Sequence, residues 1–381
     1  MNKFKIDGKS LYYPNFPGLN DFKYDISSIP RNYSISGFID LEDLHASLNK
    51  SLNDLGCLLI DKNVYELYFS GNISSDSSKV YLVDATEEVK NIDTVLKISR
   101  FFAENNINKA SNIFVIGGGV MQDLGGTSSY LYKRGVPWTY IPTTLLGISD
   151  SCLGGKTAVN FDSYKNLLGL FSAPKEVMIS SDFIKSLKEE DLFCGYGEIY
   201  RLAITGGVKS FENFQSNIKK ALEGNLDALK ALIIYSLLVK KAVIEEDEFE
   251  LNIRKSMNFG HTIGHALEAI SNFRIPHGVG VCMGILVEGN LALNLKLMPE
   301  SLFKKFLEAA KLILHNKYIE LLSDISFEQI DDHLRKDKKT LGNKFNFSYI
   351  SELGDMHFAF KDIDATKELI ILSKNQILNY L

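Results

Sequence analysis

The sequence has few cysteines and no long apolar run, and each absence excludes a class of protein. Its four cysteines are widely spaced and form no Cys-x-x-Cys pair, which argues against a disulfide framework and a zinc knuckle and favours buried thiols. No stretch approaches the ~18 apolar residues of a membrane span, and the polar N-terminus lacks the apolar core of a signal peptide. We therefore expect a cytoplasmic enzyme.

Strong charge of either sign is also missing. The net charge of -5 over 381 residues argues against general nucleic-acid binding but leaves room for a local basic pocket that holds a small anion. There is no basic stripe with interleaved aromatics, no internal repeat and no low-complexity segment. The chain is too long for one core, so we expect two domains, residues 1–183 and 184–381.

Strands and helices alternate in the first of these domains. Residues 1 to about 50 read as irregular, with a helix from Asp40 to Leu52. Helical spacing follows from Ile92 to Asn105. The predicted strands are Gly56–Ile60, Val80–Val83, Ile113–Ile116 and Trp138–Ile141. This alternation predicts an α/β dinucleotide-binding domain with a mostly parallel sheet.

A glycine triplet, Gly117, Gly118 and Gly119, directly follows the third strand. Glycines at such a position let backbone N–H groups approach a phosphate, and the next helix adds the positive end of its dipole. A simple tight turn explains the triplet alone equally well. Asp123 and a glycine pair lie on the helix that follows.

Isolated polar groups recur after the fourth strand. Thr143 and Thr144 stand at its carboxyl end, the edge where ligands bind in open α/β sheets. The other isolated polar groups are Asp150, Lys156, Lys165 and Asn166. Because the surrounding sequence is glycine-rich and apolar, these groups indicate a binding site rather than a solvated face.

Long helical patterns dominate after about Lys185 and predict a mainly helical C-terminal domain. The predicted helices are 189–206, 210–223, 226–246, 255–271, 278–295 and 302–314.

Three histidines cluster in this domain. His261 and His265 lie four residues apart, on one helical face, and His277 follows a short loop. With Glu198, a carboxylate in an apolar helix, two of them would form a catalytic zinc site with an open position. We expect His261 to be the ligand of the pair and His265 a substrate contact, although packed core histidines are the plain alternative. Glu268 is either a support for this site or solvated.

Cationic groups lie nearby. Lys240, Arg254 and Asn258 suit a carboxylate or phosphate ligand. The acidic run 245–248 is expected to be a solvated helix end. The basic run 335–339 is either plain surface or part of an anion-facing hairpin with the strand-like segment from Phe345 to Ile350.

From about residue 55 to 350 the chain resembles the sugar phosphate cyclases, the family of 3-dehydroquinate synthase. The resemblance rests on the motifs GGGVMQDLGG, KRGV, PTTLLGISDSCLGGKTAVN, KNLLG, DEFELNIRKSMNFGHTIGHALEA and HGVGV. It implies NAD in the cleft between an α/β domain and a helical domain. It also implies a Zn²⁺ or Co²⁺ ion held by Glu198, His261 and His277.

The resemblance assigns further positions. Those matched to NAD are Asp61, Glu87, Lys90, Gly117, Gly118, Gly119, Asp123, Thr143, Thr144, Lys165, Ser186 and Leu187. Those matched to substrate or catalysis are Asp150, Lys156, Asn166, Arg201, Lys240, Arg254, Asn258, His265 and Lys338. Arg134 corresponds to an arginine that reaches the substrate phosphate from the partner subunit, which implies a homodimer.

The implied reaction is redox-neutral. The metal holds substrate hydroxyls, NAD⁺ accepts a hydride to create a ketone, and phosphate then leaves by β-elimination. Return of the hydride, ring opening and an intramolecular aldol step close a carbocycle.

Three departures from the family pattern leave the substrate open. Arg201 replaces the lysine of a Glu-x-x-Lys motif, Val279 replaces a glutamate after His-Gly, and Gln122 replaces a small residue in the glycine loop. The first 50 residues also lack an obvious counterpart. The hypotheses are cyclisation of a heptulosonate 7-phosphate, cyclisation of another sugar phosphate such as an amino analogue or sedoheptulose 7-phosphate, and polyol oxidation by an NAD- and metal-dependent dehydrogenase. Retention of Lys240, Arg254, Asn258 and His265 favours a substrate that carries a carboxylate.

Overall fold

A computed structural model describes residues 1–19, 22–29, 31–54, 56–162, 164–336 and 342–381. The chain divides into two units, one of residues 17–187 and the other of residues 1–16 together with 188–381. This division differs from the expected one at the N-terminus, because the first 16 residues join the helical unit. No helix among the described residues is long and apolar enough to cross a membrane.

The 17–187 unit is built around a seven-stranded sheet. Its sheet strands are β3 (Lys23–Ile26), β4 (Tyr33–Ser36), β5 (Cys57–Asp61), β6 (Val80–Val83), β7 (Ile113–Gly117), β8 (Trp138–Pro142) and β11 (Glu176–Met178). Its helices are α1 (Leu41–Asn53), α2 (Lys62–Tyr68), α3 (Ile92–Glu104) and α4 (Gly119–Leu131). An antiparallel ribbon, β9 (Lys156–Phe161) with β10 (Tyr164–Phe171), lies outside the sheet.

The strand order of the sheet is β3-β4-β11-β8-β7-β5-β6. All pairings are parallel except that of β3 with β4. The four strands predicted from apolar runs are therefore confirmed, and they occupy neighbouring positions. Their carboxyl ends share one edge, which brings the loops after β5, β6, β7 and β8 to the same side of the sheet.

Helices cover both faces of this sheet. Leu58 and Phe114 share a core with Leu44 of α1. On α4, a Cβ at Gly125 would lie 2.5 Å from the Val115 side chain. Since neighbouring strand residues face opposite sides, α4 packs on the face opposite α1. The glycine lets α4 approach the sheet closely.

Nine helices are described in the other unit. They are α5 (Glu189–Thr205), α6 (Val208–Leu222), α7 (Leu226–Glu246), α8 (His261–Ile270), α9 (His277–Asn294), α10 (Glu300–Ala310), α11 (Asn316–Asp324), α12 (Phe327–Lys336) and α13 (Ile363–Tyr380). Helix α9 is buried from Gly278 to Ala292 and contacts α5, α8, α10 and α13. It forms the centre of the helical core.

The expectation that residues 1 to about 50 are irregular is wrong. Strands β1 (Asn2–Ile6) and β2 (Lys9–Tyr13) form a hairpin, and β1 pairs in parallel with β13 (Asp355–Asp362). With β12 (Lys344–Glu352) they make a four-stranded sheet in the order β12-β13-β1-β2. These short strands are stabilised by pairing with the far end of the chain, which a local pattern does not reveal.

The single helix expected over residues 255–271 is also wrong. A 3-10 helix covers Ile253–Asn258, and α8 begins only at His261. Between them Gly260 has a φ of 78°, a left-handed conformation that interrupts helical geometry and favours glycine. A Cβ there would lie 2.5 Å from the Val281 carbonyl oxygen.

None of the four cysteines forms a disulfide within the described residues, and Cys57, Cys152 and Cys282 are buried while Cys194 is half-buried. Burial raises the pKa of Cys57 to about 12. The buried thiols that the sequence predicts are thus found at Cys57, Cys152 and Cys282, but not at Cys194.

Candidate active site

Two helix crossings in the helical unit bring the clustered side chains together. A Cβ at Gly197 of α5 would lie 1.9 Å from the carbonyl oxygen of Gly278 on α9. A Cβ at Gly264 of α8 would lie 2.8 Å from the Gly280 carbonyl oxygen. Both contacts leave no room for a side chain, so the three helix backbones approach closely. The residues beside these glycines, including Glu198 and His277, are thereby brought side by side.

Glu198 lies at the centre of this cluster. Its Oε1 is 3.3 Å from His261 Nε2 and 3.1 Å from His277 Nε2. The Glu198 side chain is 1% exposed, yet no well-aligned hydrogen bond reaches Oε1. The Nδ1 and Nε2 atoms of His261, His265 and His277 also provide three ligand atoms within 4.8 Å of one another. A buried oxygen without an aligned donor, facing two imidazole nitrogens, fits a divalent metal ion.

Charges in the cluster shift its pKa values in opposite directions. Burial alone would raise the pKa of Glu198, but the Arg201 guanidinium and His261 hold it well below its usual value. Burial also dominates at His261, whose pKa is lowered despite the nearby Glu198. A neutral His261 and an ionised Glu198 are the forms that bind a metal.

Glu268 supports His277 from behind. Its Oε1 accepts a hydrogen bond from His277 Nδ1 at 2.8 Å, which leaves Nε2 directed toward Glu198. Burial opposes the charged imidazole, but the two carboxylates outweigh it and raise the pKa of His277 well above its usual value. A carboxylate behind a ligating histidine fixes its orientation and raises its donor strength. The geometry therefore favours Glu268 as a support for the metal site over a solvated Glu268.

The expected carboxylate-binding residues lie on α7 and in the 3-10 helix that follows it. Lys240 and Arg254 are both buried, with 8% and 5% exposure. Asn258 Nδ2 donates to Glu250 Oε1 at 2.8 Å.

The acidic run 245–248 is solvated only in part. Glu245 and Glu246 are exposed at the end of α7, as the sequence suggested, whereas Asp247 and Glu248 are buried. Asp247 is buried, and its carboxylate accepts backbone N–H bonds from Leu251, Asn252 and Arg254 at 2.9, 2.7 and 3.0 Å. Three such bonds fix the loop that carries Arg254. Sequence reasoning missed this role, because an acidic run on a helix gives no sign of which carboxylate turns inward.

In the α/β unit, the glycine loop joins β7 to α4. The N–H of Thr143 donates to the Gly117 carbonyl at 3.1 Å, so the ends of β7 and β8 are tied together. A Cβ at Gly118 would lie 2.9 Å from Thr144 Cγ2, whereas a Cβ at Gly119 would meet no atom within 4 Å. Space is therefore open at the N-terminus of α4, where phosphate groups bind well.

Lys90 contacts three other residues that were predicted to bind NAD or substrate. Its buried ammonium lies 2.8 Å from Asn166 Oδ1, 3.1 Å from Glu87 Oε1 and 3.2 Å from Asp123 Oδ2. Burial raises the pKa of Asp123 to about 6, against the opposing charge of Lys90. Glu87 and Lys90 are three residues apart, whereas Asp123 and Asn166 come from distant parts of the sequence, so the fold brings the four together as one polar group.

The remaining positions of this unit are spread over its loops. Asp61 caps α2 by accepting from the Asn63 backbone at 2.8 Å. The Ser186 hydroxyl accepts from Tyr68 at 2.6 Å, and Leu187 follows at the end of a 3-10 turn. Lys156 and Lys165 are exposed on the β9–β10 ribbon.

Asp150 lies in a π-helical turn, Gly147–Ser151, a distortion common at functional sites.

Arg134 is exposed in a turn after α4 where Lys133, Arg134 and Gly135 all have positive φ. A cavity of about 480 Å³ lies beside it, lined by residues that include Arg31, Tyr130 and Phe171. Lys338 lies outside the described residues. Its neighbour Arg335 bonds to Asp331 and Asp364, which accounts for part of the basic run as ordinary surface pairing.

Family models match most of the chain. Residues 80–194 match the N-terminal model of 3-dehydroquinate synthase, and residues 195–340 match its C-terminal model. The chain is 34% identical to a 3-dehydroquinate synthase from Thermoanaerobacter pseudethanolicus, over 93% of this chain and 95% of that protein. It is 31% identical to the enzyme so named from Dictyoglomus turgidum, over 98% of both chains. The similarity therefore extends beyond residues 55–350, and the N-terminal segment has a counterpart.

Solved structures share the fold. The chain superposes on 2-deoxy-scyllo-inosose synthase complexed with carbaglucose-6-phosphate, NAD⁺ and Co²⁺ with a TM-score of 0.77 and 21% identity, over 92% of this chain and 99% of that one. A 2-epi-5-epi-valiolone synthase from Streptomyces hygroscopicus subsp. jinggangensis, with NAD⁺ and Zn²⁺ bound, superposes with a TM-score of 0.74 and 22% identity. The match covers 93% of this chain and 99% of that one. A probable glycerol dehydrogenase from Sinorhizobium meliloti superposes with a lower TM-score of 0.59 and 12% identity, over 90% of this chain and 96% of that one. On this similarity of sequence and fold, the chain belongs to the 3-dehydroquinate synthase family.

Proposed function

We propose that this protein is a phosphate-eliminating cyclase that converts a heptulosonate 7-phosphate into a carbocycle, the 3-dehydroquinate synthase reaction. The observation that carries the proposal is the buried Glu198 oxygen facing His261 and His277. Relatives named 3-dehydroquinate synthase at 31–34% identity support it.

The proposal gives the protein a divalent metal, Zn²⁺ or Co²⁺, with Glu198, His261 and His277 as its ligands. Such an ion, when bound, acidifies the hydroxyl groups of a substrate. Glu268 holds the His277 ring so that Nε2 remains available. His265, whose ring centre lies 5.3 Å from that of His261, is assigned to substrate contact.

NAD is the proposed second cofactor, and when bound it would supply a hydride acceptor and donor. The open N-terminus of α4 at Gly119 supports a pyrophosphate position there. Four other proposed residues support the same placement. Three of them lie at or after the carboxyl ends of parallel strands, namely Asp61, Lys90 and Thr144, and Asp123 lies on α4.

The two buried cations support a substrate with a carboxylate. Lys240 and Arg254 combine burial with positive charge, and a guanidinium matches a carboxylate in shape. Asn258 supplies an amide from the same loop. Asp150, Lys156, Asn166 and Lys338 complete the proposed substrate set.

A homodimer is part of the proposal, with Arg134 reaching the phosphate of the partner's substrate. Its support is the exposed Arg134 beside the largely exposed side chains of Tyr130 and Leu131. Mixing Arg134→Ala with His261→Ala subunits tests it. Hybrid dimers should regain activity, because one site then has both an intact metal centre and the partner's arginine, while no recovery on mixing would argue against the shared site.

The activity test measures phosphate and NADH together. With the heptulosonate 7-phosphate, the purified enzyme should release one phosphate per substrate with no net NADH. Accumulation of NADH without phosphate would instead indicate a polyol dehydrogenase.

A second candidate, a cyclase for another sugar phosphate, is favoured by Arg201 in place of the usual lysine. A panel of amino-substituted heptulosonate phosphate, sedoheptulose 7-phosphate and glucose 6-phosphate, with product masses, distinguishes the two. Phosphate release from a panel member alone would move the assignment to that substrate.

A further inference from the structure

Arg201 is buried against a proposed metal ligand. It lies one turn after Glu198 on α5, and the two side chains are 3% and 1% exposed. Arg201 Nε donates to Glu198 Oε2 at 2.6 Å, and Nη1 lies 3.7 Å from Met257 Sδ. A hydrogen bond between two ions is among the strongest side-chain contacts. It holds both residues in one orientation.

The two oxygens of Glu198 therefore have different partners. Oε2 accepts the hydrogen bond from Arg201, while Oε1 faces the Nε2 atoms of His261 and His277. Because Arg201 engages one oxygen, only the other is directed toward the histidines.

We propose that Arg201 is a positioning residue that makes Glu198 a one-oxygen ligand and weakens its hold on the metal. This inference rests on the metal site of the proposed function. It assigns the guanidinium to the carboxylate rather than to the substrate.

Two physical effects follow. The planar guanidinium fixes the carboxylate by a directed Nε–H bond, whereas a lysine ammonium is a rotatable point charge that restrains Oε2 less. The positive charge also repels a cation bound at Oε1. Even at an effective dielectric constant of about 20, unit charges a few Å apart interact by more than 1.4 kcal/mol, so its loss should tighten metal binding by about tenfold or more.

The test uses the full-length protein loaded with Co²⁺, whose visible d–d absorption weakens as coordination number rises. Arg201→Met removes the charge and nearly keeps the volume. We expect weaker Co²⁺ absorption per bound ion, because Oε2 becomes a second ligand atom, and a Kd for Co²⁺ that is lower by at least about tenfold. The matched control, Arg274→Met, changes an exposed arginine near His277 and should leave both quantities unchanged.

Arg201→Lys provides a second test in case Arg201→Met fails to fold, because it retains a cation in the buried position. Its Co²⁺ absorption should weaken in the same direction, while its Kd stays close to that of the wild type. If either folded variant keeps the wild-type spectrum and Kd and only raises KM, Arg201 contacts substrate and the inference is overturned. A wild type that binds no Co²⁺ would overturn the metal site itself, and the inference with it.

Discussion

Gln122 makes two hydrogen bonds with Ser151, one through each end of its side-chain amide. Its Nε2 donates to the Ser151 carbonyl at 2.7 Å, and its Oε1 accepts from the Ser151 hydroxyl at 2.9 Å. Gln122 is one of the residues that depart from the family pattern, and Ser151 directly follows Asp150. The departure thus ties α4 to the π-helical turn that carries a proposed substrate residue.

Gln122→Met should loosen this turn. The loss of two half-buried hydrogen bonds should lower the free energy of unfolding by about 1–3 kcal/mol and raise KM through Asp150. Chemical denaturation and steady-state kinetics measure these effects. Gln215→Met, at an exposed position of α6, is the control, and equal behaviour of the two variants would contradict the role of Gln122.

Alanine substitutions should distinguish the three metal ligands from the residue that contacts substrate. Alanine at Glu198, His261 or His277 should abolish stoichiometric metal, since each removes a donor atom from a three-ligand site. His265→Ala should retain one metal per chain and lose about ten- to a hundredfold in kcat/KM, as for one charge-assisted contact. Metal analysis of the dialysed proteins decides the matter. Loss of metal in His265→Ala, with retention in Glu198→Ala, would exchange their roles.

Neighbouring glycines of the loop should respond differently to alanine. At Gly119 a methyl group enters open space, so the fold should keep its stability while NAD binds at least about tenfold more weakly through exclusion of its phosphates. At Gly117 the added Cβ would lie 2.4 Å from Met121 Cγ, and stability should fall. Calorimetric titration with NAD and thermal unfolding provide the comparison. Undiminished NAD affinity in Gly119→Ala would place the pyrophosphate elsewhere.

Asp123 should make stability depend on pH. Burial raises its pKa from 3.8 to about 6 in the folded chain, so the folded state binds a proton more tightly than the unfolded state does. Its contribution is full below about pH 4 and is lost as the pH rises through about 6. The unfolding free energy of the wild type relative to Asp123→Asn should therefore fall across this window. The exposed Asp93→Asn is the control, and a flat difference between wild type and Asp123→Asn would refute the shift.

Local patterns anticipated much of the fold. The runs at 56–60, 113–116 and 138–141 formed strands because their apolar residues are buried on both faces of a parallel sheet, and the run at 80–83 formed the half-buried strand at its edge. Helix α7 begins and ends where the periodicity predicts, at Leu226 and Glu246. The strands of the N-terminal hairpin were not anticipated, because β1 pairs with β13 from the other end of the chain.

The sequence by itself determined the residue types of the candidate site and the spacing of His261 and His265, because a helix places residues four apart on one face. It also determined the glycine loop after a buried strand. Only the tertiary structure decided that Glu198 meets both His261 and His277 and that Glu268 supports His277. Those contacts depend on the close crossing of α5, α8 and α9 at glycines, and such distances between separate helices are set by three-dimensional packing rather than by any local period.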